Sequence, residues 1–376
     1  MAEEVVMLTG NHSVSEAVKR VKPDVIAAYP ITPQTAIIEY LSRLVDSGEI
    51  DSHFLRVESE HSALAAVAGA SWAGARTFTA TSSQGLLYMG EWVFWTGYAR
   101  LPVVMAVVNR CLAPGWSIWV DLQDSMAFRD AAWIQIYNKN NQEVFDTTIQ
   151  SYRIAESKDI ALPVMPCLDG FVLSHTSSKV ILSDPEEVYN FVGDYSDPII
   201  EIDTGKPFAY GSIVMPDKYN KDRKDLMEAM ERAKAKIKAV NKEFSETFGR
   251  SYGNGLVEKY GDDDADLTIV GIGTMADETQ QAIDMLTSEG LKVNSVRVRT
   301  FRPFPTEDII DIAKKNHKLL VIDRSVSFGH EGHLQMEIES VLKRNNIDTP
   351  VIGKVMGLGG EDVPYTRIAK VARENL

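Results

Sequence analysis

The residues that could do chemistry gather just after short apolar strands. Asp24 to Ala28 (DVIAA) reads as a strand and runs directly into the turn-rich segment YPITPQT, residues 29–35. Pro30 and Pro33 fix the backbone on either side of Thr32 and hold its hydroxyl in a rigid turn. That turn lies just beyond the carboxyl end of a strand, where open α/β sheets bind ligands. Taken alone, the segment is equally a structural turn. A second motif, Gly271-Ile272-Gly273-Thr274-Met275-Ala276, matches the loose dinucleotide fingerprint G-x-G-x-x-A between a predicted strand and helix. A Rossmann site would want an acidic residue near the end of the next strand. The chain has Arg297 and Arg299 there, an arrangement NADP could use. Tight strand–helix turns produce the same pattern often.

Metals and clusters find few ligands. His12, His61, His175, His330 and His333 show no metal-binding spacing, and His330 and His333 lie beside glycines, a loop feature. The two cysteines, Cys111 and Cys167, form no C-x-x-C pair. An iron–sulfur cluster or structural zinc needs about four suitable ligands, so this chain alone holds neither. No disulfide framework is expected.

The elements that must position these residues alternate. Ser13-Val14-Ser15-Glu16 has capping-box spacing and predicts a helix start. Thr35 onward (TAIIEYLSRLV) has apolar residues at helical spacing, followed by the strand FLRVE. A small-residue helix (HSALAAVAGASWAGA), the strand TFTAT, a helix from about Gln84 and the strand VVMAVV come next. This order predicts a parallel sheet with helices on both faces. Residues 198–216 read as an irregular Gly- and Pro-punctuated connection. A long amphipathic helix follows, with Leu226, Met230, Ala233, Ile237, Val240, Phe244 and Phe248 on one stripe. From Asp266 a second α/β unit begins: LTIVGIGTM, a helix to about Glu289, then the strands KVNSVRVRTF, KLLVIDRS and VIGKVMGL. The expected division is 1–205, a connecting segment 206–262 with the long helix, and 263–376.

Composition narrows the class. The 376 residues suffice for two or three domains. Hydrophobic residues at 44% and charged residues at 24% are ordinary for a soluble globular protein. A net charge of −14 repels phosphate backbones, so nucleic-acid binding is disfavoured. An anionic ligand would need a local basic pocket or a helix N-terminus. The N-terminus MAEEVVMLTG lacks a basic region followed by an apolar core, and no apolar run reaches spanning length. A cytoplasmic protein is expected.

Several longer motifs occur in one order: YPITP, VESEHSALAAVAGAS, TATSSQGLLYMGEW, LPVVMAVVNR, DSMAFRDAAWIQIY, FRPFP and GLGGEDV. Together they resemble the alpha subunit of pyruvate- and related 2-oxoacid:ferredoxin oxidoreductases over nearly the whole chain. The resemblance implies an α/β chain with a thiamine-diphosphate-binding, pyrimidine-type parallel-sheet domain plus a transketolase C-terminal-like α/β domain. It implies oxidative decarboxylation of a 2-oxo acid to acyl-CoA and carbon dioxide, with electrons passing singly to iron–sulfur clusters. A beta subunit would bind the diphosphate and Mg2+ through a G-D-G motif, which this chain lacks. Gamma- or delta-type subunits would carry the [4Fe-4S] clusters, and ferredoxin or another acceptor would take the electrons.

By the same resemblance Glu60, at the S-E-x-x-A position, is the carboxylate that activates the cofactor. Hydrogen-bonded to a pyrimidine nitrogen, it would favour the tautomer that removes the thiazolium proton. Glu58, two positions away, is expected in a surface or interface contact. Pro30, Ile31 and Ser83 are implied as further cofactor contacts. A 2-oxo acid carries a carboxylate and a ketone, and the resemblance assigns these to Arg110 and Thr32. A guanidinium can hold a carboxylate through two parallel hydrogen bonds; an ordinary salt bridge is the alternative for Arg110. The segment Ala113–Trp119 (APGWSIW) has neither the charged loop nor the second arginine of the oxalate-using relative, which disfavours oxalate. Trp116 and Trp119 could line a pocket for a phenyl or branched side chain, as in phenylglyoxylate, or be core or interface residues. Two other functions remain: a non-catalytic assembly partner, against which the retention of Thr32, Glu60 and Arg110 argues, and an NADP-dependent oxidoreductase using the 271–276 turn.

Overall fold

The computed structural model describes residues 4–195, 205 and 211–376, so most of the predicted 198–216 connection lies outside the described residues. Eight strands occupy the first half: β1 (Glu4–Leu8), β2 (Val25–Ala28), β3 (His53–Arg56), β4 (Thr77–Thr81), β5 (Val104–Asn109), β6 (Ile134–Tyr137), β7 (Val164–Asp169) and β8 (Ser178–Leu182). Six follow: β9 (Val257–Tyr260), β10 (Leu267–Gly271), β11 (Val293–Val298), β12 (Thr300–Arg302), β13 (Leu319–Asp323) and β14 (Val351–Val355).

They form two main sheets. The larger has the order β12-β6-β7-β5-β4-β2-β3 and is parallel except for β12 on β6. The smaller has the order β14-β13-β10-β11-β9 and is parallel except for β9 on β11. β1 and β8 pair antiparallel as a separate ribbon. Strands β4 to β7 are buried at every position, which is why they read as continuous apolar runs.

One face of the large sheet packs on the helices Gly10–Val21, Thr35–Asp46 and Asn141–Ala155, through Val14, Val18, Ile37, Leu41, Phe145 and Ile149. The long helix Pro216–Phe248 joins that core, burying Leu226, Ala233, Ile237, Val240 and Phe244, the predicted stripe. The other face shares a core with the second unit, running from Leu64 and Met105 to Val296, Phe301 and Leu334. No helix among the described residues is long and apolar enough to cross a membrane.

Two expectations about local structure are corrected. The first helix starts at Gly10, not at the Ser13–Glu16 box. Thr9 caps it, its side chain accepting from the His12 N–H, and Gly10 N–H is already fixed on the Leu173 carbonyl at 2.8 Å. Ser13 and Ser15 bond back to the Thr9 and Asn11 carbonyls from inside the helix, while Glu16 meets Arg20 and Tyr40. KVNSVRVRTF, read as one strand, breaks at Arg299: β11 stays in the small sheet and β12 crosses to β6 of the large one.

Electrostatics explains the break. Arg299 is fully buried and donates to Glu143 at 2.6 Å, to Thr147 Oγ1 at 2.8 Å and to the Gly255 carbonyl at 3.0 Å. Arg297 holds the same carboxylate with bonds of 2.7 and 2.9 Å and also meets Glu258 at 2.9 Å. Glu143, on the first unit, therefore clasps two arginines of the second. Burial alone would raise its carboxyl pKa, but Arg297 and Arg299 outweigh it and hold the group down to about 2.

This cluster generates a stability prediction. Glu143→Gln leaves Arg299 buried with no carboxylate and should cost about 3–5 kcal/mol. The wild-type contribution is complete above the unfolded value of about 4.5 and is lost as pH falls from there toward 2. Urea unfolding from pH 2 to 6 should show that decline in the wild type and a much shallower one in the variant; matching slopes would refute the assignment.

Candidate active site

Because β3, β2, β4, β5 and β7 are neighbours and parallel, their carboxyl ends open on one edge. The loops that leave them carry almost every residue singled out from the sequence.

After β3, Ser59 caps the helix Glu60–Trp72 and accepts from the Ser62 N–H at 3.1 Å. Glu60 is thereby set in the first turn, where the helix dipole favours a negative charge. Its side chain is 8% exposed, and no described residue donates a hydrogen bond to its carboxylate. Gly85 lies against it: a Cβ there would stand 2.7 Å from Glu60 Oε1 and 2.6 Å from Thr81 Oγ1, so only glycine leaves room. The Thr81 hydroxyl is buried and also lacks a partner. A buried carboxylate and hydroxyl with unused hydrogen-bonding capacity suit the ring nitrogen and amino group of an aminopyrimidine. Glu58, by contrast, is exposed and accepts from the Ser62 hydroxyl at 2.6 Å, which lowers its pKa.

After β2, the 29–34 turn is pinned from beneath. Gln34 donates to the Ala80 carbonyl at 3.0 Å and accepts from the Ile31 N–H at 3.2 Å, while Asn11 donates to the Pro33 carbonyl at 2.8 Å. Pro30 and Thr32 are left exposed and Ile31 half-buried.

After β5 comes Arg110, 4% exposed. Its guanidinium donates to the Thr32 carbonyl at 2.7 Å and to Gln84 Oε1 at 2.6 Å, and its Nε has no partner. Arg110 and Thr32 are thus together, but through the threonine's backbone rather than its hydroxyl. No carboxylate among the described residues forms an ion pair with Arg110, so the ordinary salt bridge is not seen. Burial lowers the pKa of this guanidinium.

After β4, Ser83 holds a left-handed backbone with φ of 46°, a conformation costing a non-glycine residue about 1–3 kcal/mol. Its hydroxyl bonds the Cys111 carbonyl at 2.8 Å and Gln84 Oε1 at 2.7 Å. Asp124 completes the arrangement. One of its oxygens accepts from the Ser83 and Arg110 N–H groups at 3.0 Å each, and the other from Asn109 at 2.7 Å and the Ser125 N–H at 2.8 Å. Complete burial raises its pKa to about 6 despite these four donors. Sequence reasoning missed Asp124, Gln84 and Gln34. Asp124 and Gln84 act on groups distant in sequence, and no local pattern marks them.

Trp116 stands apart. It is 76% exposed at the tip of the loop after β5 and forms no aromatic pair or hydrogen bond among the described residues. Trp119 instead packs on Phe171 with centroids 4.8 Å apart. Gly360 makes that position possible, since a Cβ there would fall 2.3 Å from Trp119 Cβ.

The 271–276 turn serves the joint between the two units. Thr274 and Arg324 both bond Asp169 at the end of β7, Arg324 at 2.6 Å. Arg297 and Arg299 are committed to Glu143. Neither is free to hold a 2′-phosphate, which removes the basis of the NADP reading.

Comparison with known proteins gives the family. Residues 16–242 match the family "Pyruvate flavodoxin/ferredoxin oxidoreductase, thiamine diP-bdg", and residues 265–368 match "Pyruvate:ferredoxin oxidoreductase core domain II". The chain is 47% identical to pyruvate synthase subunit PorA of Methanocaldococcus jannaschii, covering 98% of this chain and 94% of that protein. It is 41% identical to ketoisovalerate oxidoreductase subunit VorA of Pyrococcus abyssi, covering 98% and 92%. Among solved structures, a 2-oxoglutarate:ferredoxin oxidoreductase from Magnetococcus marinus superposes with a TM-score of 0.76 at 18% identity, over 99% of this chain and 65% of that one. A split-gene transketolase, at 13% identity and a TM-score of 0.57, shares the fold over 98% of this chain and 97% of its own. The chain belongs to the pyruvate:ferredoxin oxidoreductase family of thiamine-diphosphate-dependent 2-oxoacid oxidoreductases.

Proposed function

We propose that this chain is the alpha-type subunit of an enzyme that oxidatively decarboxylates a 2-oxo acid to its acyl-CoA. One observation carries the reading: Glu60 and Arg110 are buried at one sheet edge, each without a counter-ion among the described residues. A buried charge kept without a partner implies a ligand that supplies one.

When bound, thiamine diphosphate supplies the carbon nucleophile for the ketone and accepts the electrons released by decarboxylation. Glu60 holds a proton at a pyrimidine nitrogen, with Thr81, Ser83, Pro30 and Ile31 around that end of the cofactor. Arg110 takes the substrate carboxylate, with Nε and the edge now resting on the Thr32 carbonyl as its donors. The Thr32 hydroxyl, exposed in the pinned turn, reaches the ketone. A single arginine fits a monocarboxylic 2-oxo acid such as pyruvate or 2-oxoisovalerate. Trp116 meets the substrate side chain only if the loop after β5 folds inward or a partner covers it.

The division of labour follows from what the chain lacks. With two cysteines and no G-D-G, it leaves the [4Fe-4S] clusters, Mg2+ and the diphosphate to beta- and gamma- or delta-type subunits. Leu87, Tyr88, Phe94, Trp95 and Tyr98, next to the Glu60 helix, are each about a third exposed or more. Apolar patches of this kind mark subunit interfaces. Residues 1–205 hold the pyrimidine end, 206–262 connect, and 263–376 form the transketolase-like unit.

Two experiments test the site. Glu60→Gln keeps shape but not charge, so the assembled complex should bind cofactor yet lose activity and C2 proton exchange of the cofactor by NMR. Normal exchange in Glu60→Gln with loss in Glu58→Gln would move the role to Glu58. Steady-state kinetics on pyruvate, 2-oxoisovalerate and phenylglyoxylate should show affinity falling from wild type to Thr32→Val to Arg110→Ala. The expected costs are about 0.5–1.5 kcal/mol for the hydroxyl and about 2–5 kcal/mol for the guanidinium. Arg110→Lys, which keeps the charge without the planar fork, should also weaken binding, but less than Arg110→Ala. A normal Michaelis constant in Arg110→Ala would remove it from the site.

A further inference from the structure

We propose that Asp124 is the positioning residue of the substrate site, tying Arg110 and Ser83 to one buried carboxylate that the second unit holds in place. This rests on the reading of Arg110 as the partner of the substrate carboxylate.

The geometry works from the carboxylate outward. Asp124 is 0% exposed and sits on the short helix Gln123–Met126. A single oxygen accepts the backbone N–H groups of residues that follow two different strands, Ser83 after β4 and Arg110 after β5. It therefore fixes the separation of the two loops. It also keeps Ser83 in its left-handed conformation, from which Gln84 presents Oε1 to the Arg110 guanidinium. Asp124 forms no hydrogen bond or ion pair with the guanidinium, which it meets only through its charge, so its influence on a bound carboxylate is exerted through Arg110.

The second unit anchors the helix that carries Asp124. Leu122 N–H donates to the Arg324 carbonyl at 3.0 Å. The Gln123 amide exchanges two bonds with the Val326 backbone, at 2.6 and 3.1 Å. Arg324 in turn is locked to Asp169, at the end of β7 in the large sheet. A chain of bonds thus runs from the segment just after β13 through Leu122 and Gln123 to Asp124, and on to Arg110. The second unit, which contributes none of the residues proposed to touch substrate, sets the position of the one that binds its carboxylate.

The test uses the assembled complex, with the 2-oxo acid varied at saturating coenzyme A and acceptor. Asp124→Ala leaves three buried backbone N–H groups and the Asn109 amide without their acceptor and should raise KM about tenfold or more, with kcat within about threefold of wild type. Asp124→Asn should restore most of the affinity. Its amide oxygen can stay on the Ser83 and Arg110 N–H groups while the Asn109 amide turns over to present its unpartnered oxygen to the new NH2, and only the Ser125 N–H loses its acceptor. Gln123→Ala, which loses only the Val326 bonds, should raise KM severalfold and provides the readout if Asp124→Ala does not fold. In an Arg110→Ala background, Asp124→Ala or Gln123→Ala should add less than about twofold, because the effect passes through the missing guanidinium. Effects that multiply in that background, a fall in kcat at unchanged KM, or a wild-type KM in Gln123→Ala where Asp124→Ala does not fold would overturn the proposal alone. An unchanged KM in Arg110→Ala itself would overturn the substrate reading, and this one with it.

Discussion

The structure depends on one buried carboxylate meeting two arginines from the other unit. Glu143 is fully buried in the first unit, and so are Arg297 and Arg299 in the second. Taking such charges out of water is costly, and the attraction offsets it only when geometry is good and the remaining donors are satisfied. Here they are: Arg299 also finds Thr147, Gln150 and the Gly255 carbonyl, and Arg297 finds Glu258 and the Tyr137 carbonyl. The pairing therefore acts less as glue than as an address. A shift of the second unit by one strand residue would turn these side chains to the other face and leave three charges buried and unpaired. That demand explains why the chain leaves β11 at Arg299 and adds β12 to the large sheet.

Docking fixed in this way reaches the candidate site without supplying any of its ligand-facing groups. Arg324 and Thr274 close on Asp169, Val326 grips Gln123, and the Leu358–Gly360 turn supports the loop after β5. Gly360 N–H donates to the Val120 carbonyl at 2.8 Å, and its lack of a Cβ lets Trp119 pack against it. The carboxyl ends of parallel strands supply residues for chemistry but leave their loops long and unsupported. The second unit is the support.

Much of this was legible in the chain, for identifiable reasons. Strands such as Thr77–Thr81 and Val104–Asn109 are buried on both faces and announce themselves as apolar runs. The stripe of the Pro216–Phe248 helix was equally plain, because its period is local. The capping box failed because Thr9, Ser13 and Ser15 offer the same oxygen chemistry, and only the Leu173 carbonyl, far away in sequence, selects among them. Reading KVNSVRVRTF as one strand fails for the same kind of reason: no local rule contains Glu143. Glu60 and Arg110 could be found because their chemistry lies in the side chain and the family motif marks it. Asp124 acts on backbone N–H groups 41 and 14 residues away, and nothing near it in sequence signals that.

The contrast between the two kinds of buried charge gives the proposed division of labour a physical basis. Glu143 and its arginines neutralise one another within the chain, and Asp124 has four donors on its two oxygens. Glu60 and Arg110 are buried, yet neither forms an ion pair among the described residues. Gly85 leaves room for Glu60 on one side, and Gln84 and the Thr32 carbonyl hold the Arg110 guanidinium on the other. On the proposed reading, a ligand that supplied the missing partners would stabilise the folded chain on binding. Glu143, Arg297, Arg299 and Asp124 are satisfied within the fold, and the two proposed functional charges are not, which is the pattern the proposed shared site requires.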